Sequence, residues 1–188
     1  GLKNSGQQDP RGVLGKANAD IAATGAWTQN TGSKQVVVAV IDTGVDLSHP
    51  DLKANLWTHP NDPSIKGYNA ITKSHSPWDD NGHGTHVAGT IGAVGGNGIG
   101  VVGVNWEVSI MPVKFMDGDG SGTLADAIDA IDFARENGAH VMNNSWGGGG
   151  FSQSLYDAVA RARDAGILFV AAAGNEGNNN DQNPSYPA

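Results

Sequence analysis

The chain has 188 residues, 38% of them apolar, enough for one sizeable core, and a formal net charge of −8 from 11 basic and 19 acidic side chains. Singly scattered lysines and arginines on an acidic chain argue against a nucleic-acid partner, and no apolar run is long enough to span a membrane. Cysteine is absent, which removes disulfides and Cys-ligated zinc.

Residues 1–20 are polar and turn-rich and read as an arm laid on a domain. No charged leader with an apolar stretch follows Gly1, so any targeting peptide is expected to have been removed or never to have existed. The β-branched run KQVVVAVID (34–42) predicts a strand buried on both faces and ending on an acid. VSIMPVKF (108–115) predicts a weaker strand, whose Pro112 suits an edge or irregular position. Residues 123–137 and 152–165 carry apolar side chains at helical spacing, and 139–145 and 166–174 predict two further strands. Strand alternating with helix is the order of an α/β fold, a parallel sheet with right-handed crossovers and helices on both faces. The chain stops at Ala188 in a polar loop after a core strand, so the domain is expected to be incomplete at its C-terminal end.

Ligands of such sheets gather beyond the carboxyl ends of the strands. Those ends hold Asp42, then Asn143, Asn144 and Ser145, then Asn175, and His83 opens a helix that could point there too. Within NGHGTHVAGTIG (81–92), His83 and His86 admit three readings: a metal pair, a catalytic base with a bystander, or two packed imidazoles. Zinc catalysis usually needs a third protein ligand and often the Glu of an HExxH pattern, and neither is near. GIGVVG (98–103) matches GxGxxG but follows no clear strand and opens no helix, so a dinucleotide site is not expected. DGDGSG (117–122) imitates an EF-hand start, yet its twelfth position is Ile128, which leaves an ordinary turn or a backbone surface for an extended ligand.

Nucleophilic hydrolysis needs an acid to orient an imidazole, an imidazole to take a proton, a nucleophile and an oxyanion donor. VIDTGVD supplies Asp42, HGTHVAG supplies His83 and AAAGNEG supplies Asn175. With NNSWGG, these stretches closely resemble the subtilisin-like serine proteases (subtilases), and the resemblance covers essentially the whole chain. It implies that His83 is the base, Asp42 its orienting acid and Asn175 the oxyanion donor, with His86 a bystander packed in the following helix. The family's nucleophile lies in a GTSMA-like motif beyond the point where this chain stops, and no such motif occurs here. Residues 1–188 are therefore expected to be the N-terminal portion of a catalytic domain, inactive alone, whose C-terminal remainder is its partner. A binding module that kept the fold but lost the nucleophile is the competing expectation.

The resemblance also implies a secreted endopeptidase, monomeric when complete, acting on protein or peptide substrates. Substrate would add as a strand between Gly120, Ser121 and Gly122 on one side and Ser145, Trp146 and Gly147 on the other. Ala172, Ala173 and Gly174 would wall the primary specificity pocket, where small walls leave room for a large apolar side chain and broad specificity is expected. A structural calcium is implied at Asp51 and Asn97 with the carbonyls of Val94, Ile99 and Val101, a ligand set suited to a hard cation. Gln7, Gln8 or Asp9 of the arm could add a ligand.

Overall fold

A computed structural model describes residues 2–8 and 12–188. Five strands form one sheet in the order β2-β3-β1-β4-β5: β1 (Gly32–Asp42), β2 (Tyr68–Asn69), β3 (Glu107–Lys114), β4 (Val141–Asn144) and β5 (Leu168–Ala171). Every ladder is parallel, with Asp42 opposite Lys114, Val40 opposite Asn143 and Asn144 opposite Ala171. The carboxyl ends therefore lie on one side of the sheet.

Side chains alternate across the sheet, as the pleat requires. Ala39, Ile41, Met111, Val113 and Met142 face α3 (Leu124–Glu136) and α4 (Gln153–Asp164), which contribute Ala127, Ala130, Ile131, Ala134, Leu155, Ala158 and Ala162 to that layer. Val38, Val40, Val108 and Ile110 face the other way, against Val87, Ala88 and Ile91 of α2 (His83–Gly92). Helices thus cover both faces, and β1 at the centre is buried from Val38 to Asp42. Capping starts the long helices where the pattern predicts. The Thr123 hydroxyl accepts from the Asp126 N–H at 3.1 Å, and Ser152 accepts from the Leu155 N–H at 3.4 Å. The arm leads into α1 (Ala23–Ala26).

One expectation needs correction. Pro112 lies in an interior strand, because β2 pairs outside β3. The Ile110 and Lys114 carbonyls accept from Trp57 and Ala70 on that outer side, so by alternation the missing Pro112 N–H also falls there, beyond the short β2 ladder. Strand β5 is an edge strand with Leu168 and Val170 exposed, because α2 covers only the β1–β3 part of its face among the described residues.

Candidate active site

The acid and the imidazole meet at the carboxyl end of β1. Asp42 is fully buried, and its Oδ1 accepts from His83 Nδ1 at 2.7 Å and from the Thr43 N–H at 2.7 Å. Burial pushes the Asp42 carboxyl above its ordinary range, against the lowering effect of the His83 and Thr43 hydrogen bonds. Its Oδ2 has no hydrogen-bond partner among the described residues. A neutral imidazole bonded to a carboxylate through Nδ1 carries its proton there, which leaves Nε2 as the acceptor. The His83 side chain is half exposed, so that nitrogen can be approached. The geometry is that of a base held in one tautomer.

Local sequence makes this meeting possible. A Cβ on Gly84 would overlap the Gly44 carbonyl oxygen and crowd Asp42, so only glycine lets the first turn of α2 lie against the strand end. Thr43 and Asp79 complete the attachment. The Gly84 N–H donates to Thr43 Oγ1 at 2.9 Å, and Thr43 Oγ1 donates to Asp79 Oδ1 at 2.9 Å. Asp79 also accepts from the N–H groups of Asn81, Gly82 and Thr85 at 2.8–3.0 Å and from the Thr85 hydroxyl at 2.5 Å. Burial pushes the Asp79 carboxyl up, but these donors outweigh it and lower it to about 2. Sequence reasoning passed over Asp79 and Thr43; an acid four residues before a helix-opening histidine was the available signal for a cap.

His86 is exposed, contrary to the packed position expected of it. The buried residues of α2 are Gly84, Ala88 and Gly92, four apart, and His86 falls halfway round the helix from that stripe. It borders a cavity of about 580 Å³ with Leu2 and His49.

Six of the nine substrate-binding candidates line two adjoining cavities. The smaller, about 260 Å³, is lined by Thr43, Asn81, His83, Met116, Gly120 and the stretch Ser145, Trp146, Gly147. The larger, about 630 Å³, shares Ser145, Trp146 and Gly147 and adds Ala172, Gly174 and Asn175. Its remaining wall includes the polar side chains of Glu176, Gln182 and Ser185. Ser121 and Gly122 lie in the adjoining turn, closed by a Met116–Gly122 bridge and by Asp117 Oδ1 accepting from the Asp119 and Ser121 N–H groups at 3.0 Å. That turn is what DGDGSG encodes. Ala173 lines neither cavity, and its carbonyl accepts from Asn180 Nδ2 at 2.9 Å. The Asn175 N–H donates to Glu176 Oε2 at 2.9 Å, and its side chain makes no described contact with His83.

The candidate calcium residues also converge. Asp51, only 1% exposed, accepts from Asn97 Nδ2 at 2.7 Å and from the Val101 N–H at 2.9 Å, while its carbonyl accepts from Val94 N–H at 2.9 Å. Asn97 Oδ1 accepts from the Ile99 N–H at 3.0 Å. Gly100 has φ +50°, and a Cβ there would stand 2.5 Å from Asp51 Oδ2, so the loop needs glycine to close over the carboxylate. No described hydrogen bond reaches the carbonyls of Val94, Ile99 or Val101. A buried carboxylate beside free carbonyls fits a hard cation. Gln7 and Gln8 bond within the arm, to Ser5 and Gly12, and Asp9 lies outside the described residues.

A buried acid bonded to an imidazole thus stands at the carboxyl-end crevice of a parallel α/β sheet, a geometry capable of proton transfer. A model of the subtilase family matches residues 33–188, and the chain belongs to that family. It is 41% identical over 160 residues to the thermophilic serine proteinase of Bacillus sp. (strain AK1), covering 85% of this chain and 38% of that protein. It is 41% identical over 163 residues to the minor extracellular protease Epr of Bacillus subtilis (strain 168), covering 87% and 23%. Identity is also 41% over 171 residues to the major intracellular serine protease of the same organism, covering 89% and 52%. The chain thus spans about half or less of the length of these relatives.

Proposed function

We propose that this chain is the N-terminal portion of the catalytic domain of a serine endopeptidase, in which residues 1–20 form an arm. The observation that carries the reading is the 2.7 Å bond between the buried Asp42 and His83 Nδ1. His83 Nε2 takes the proton of a serine hydroxyl as the oxygen attacks a peptide carbonyl, and Asp42 stabilises the imidazolium that results. Asn175 donates to the oxyanion of the tetrahedral intermediate. The serine belongs to sequence beyond Ala188, which also covers the exposed Leu168 and Val170 of β5. That cover is the partner this fragment requires, because an apolar sheet edge open to water drives association.

Substrate lies as an extended strand between 120–122 and 145–147, with its side chain in the cavity walled by Ala172 and Gly174. The polar far wall favours a long side chain with a polar tip. Calcium would be held by Asp51, Asn97 and the carbonyls of Val94, Ile99 and Val101. There it would cross-link the loop and supply stability rather than chemistry. The enzyme is secreted and works as a monomer. An apolar span long enough to hold it in a membrane is absent from the helices of the described residues.

The test treats the full-length protein with a serine-directed phosphonylating reagent. Expected are complete loss of peptide cleavage and a single labelled serine C-terminal to Ala188. Cleavage that survives complete labelling would refute the serine mechanism, and a folded full-length protein that binds peptides without cutting them would establish the binding module instead.

A further inference from the structure

One buried charged side chain has no part in the chemistry above. Lys114 ends β3 at 4% exposure, its Cα opposite that of Asp42. Its Nζ donates to three acceptors, each at 2.7 Å: the Thr43 carbonyl, the Met116 carbonyl and Asp80 Oδ1. A lysine ammonium has three hydrogens, so the buried cation is fully bonded.

The three acceptors belong to three different parts of the site. Thr43 directly follows Asp42 at the end of β1. Asp80 lies in the loop that opens α2 with His83. Met116 is the root of the turn that carries Gly120, Ser121 and Gly122, and it bridges to Gly122. A second bond joins the last two parts, from Asn81 Nδ2 to the Gly118 carbonyl at 2.9 Å. Thr43 and Met116 line the same cavity as His83 and Gly120, whereas Lys114 does not. Lys114 therefore acts through its neighbours and touches no substrate.

We propose that Lys114 is a positioning residue, which ties the strand of the acid, the loop of the base and the root of the substrate-binding turn into one unit. The physical reason lies in what its removal leaves. Thr43 and Met116 are buried, so their carbonyls would lose a donor that water replaces only by entering and separating the segments. Asp80, half exposed, would be free to leave with its loop. A misplacement of about 1 Å at reacting groups costs on the order of 10²-fold in rate.

The test compares the full-length protein with Lys114→Met, Asp80→Ala and Asp80→Glu. One readout is the proton NMR signal of His83 Nδ1–H, which the bond to Asp42 holds at low field. The other is the division between kcat and KM for an extended peptide and for a short ester that does not reach residues 120–122. Lys114→Met, shown folded by a cooperative melt, is expected to broaden or shift the Nδ1–H signal. It should also lower kcat for both substrates, by on the order of 10²-fold for a displacement of about 1 Å, and raise KM for the extended peptide more than for the ester. Asp80→Ala should do the same to a lesser degree, and Asp80→Glu should restore both. A folded Lys114→Met with the native signal and unchanged constants would overturn the proposal. If Lys114→Met does not fold, Asp80→Ala decides, and native behaviour there overturns it. The kinetic arm rests on the peptidase reading; if the protein cuts nothing, that reading fails while the NMR comparison still judges the lysine.

Discussion

Replacing Asp79 by asparagine isolates the polar network that attaches α2 to the sheet. The carboxyl is 9% exposed and held at about 2 by the donors of Asn81, Gly82, Thr85 and Thr43. An unfolded-chain aspartate titrates near 3.9, and such a difference corresponds to about 2–3 kcal/mol of folding stability at neutral pH. Because the folded value is the lower one, this contribution is fully present above about pH 5 and is lost as pH falls toward 2. Asparagine keeps one acceptor oxygen but turns an NH2 toward N–H donors, so part of the network faces donor against donor. Asp79→Asn is therefore expected to be about 2–3 kcal/mol less stable at pH 7. The gap to the unmutated protein should close as pH falls to about 2. Urea unfolding of the full-length protein from pH 2 to 7, inactivated beforehand to prevent autolysis, measures both curves. Parallel curves, with a gap independent of pH, would refute the reasoning.

The remaining predictions concern the two histidines and the calcium loop. His83→Ala should abolish turnover by the full-length protein, whereas the exposed His86→Ala should leave kcat close to native; kinetics normalised to folded protein distinguish them, and equal losses would count against His83 as the base. Calcium should raise the melting temperature and slow autolysis, since a ligand of the folded state alone adds about 2.7 kcal/mol at a hundredfold excess over Kd. Asp51→Ala should remove that shift in melts run with calcium and with chelator, and an unmutated protein indifferent to calcium would dismiss the site.

Much of this architecture is legible in the chain itself, because its cause is local. The β-branched run ending at Asp42 is strand on any account, and the helical spacing after Thr123 and Ser152 places α3 and α4 within a residue of where they lie. The residue types at the strand ends mark Asp42 and Asn175, and the helix opening marks His83, as candidates before any fold is seen. Tertiary structure decided what depends on who stands opposite. Pro112 passes in an interior strand because its imide falls on the side where β2 is short, a fact about a neighbour and not about proline. His86 is exposed because the buried stripe of α2 runs through Gly84 and Ala88, and small residues gave the hydropathy pattern no sign of which face was inward. Lys114 reads in sequence as an interruption of an apolar strand. Only the meeting of Thr43, Asp80 and Met116 around its Nζ, from segments up to 71 residues away, makes burial of that charge tolerable.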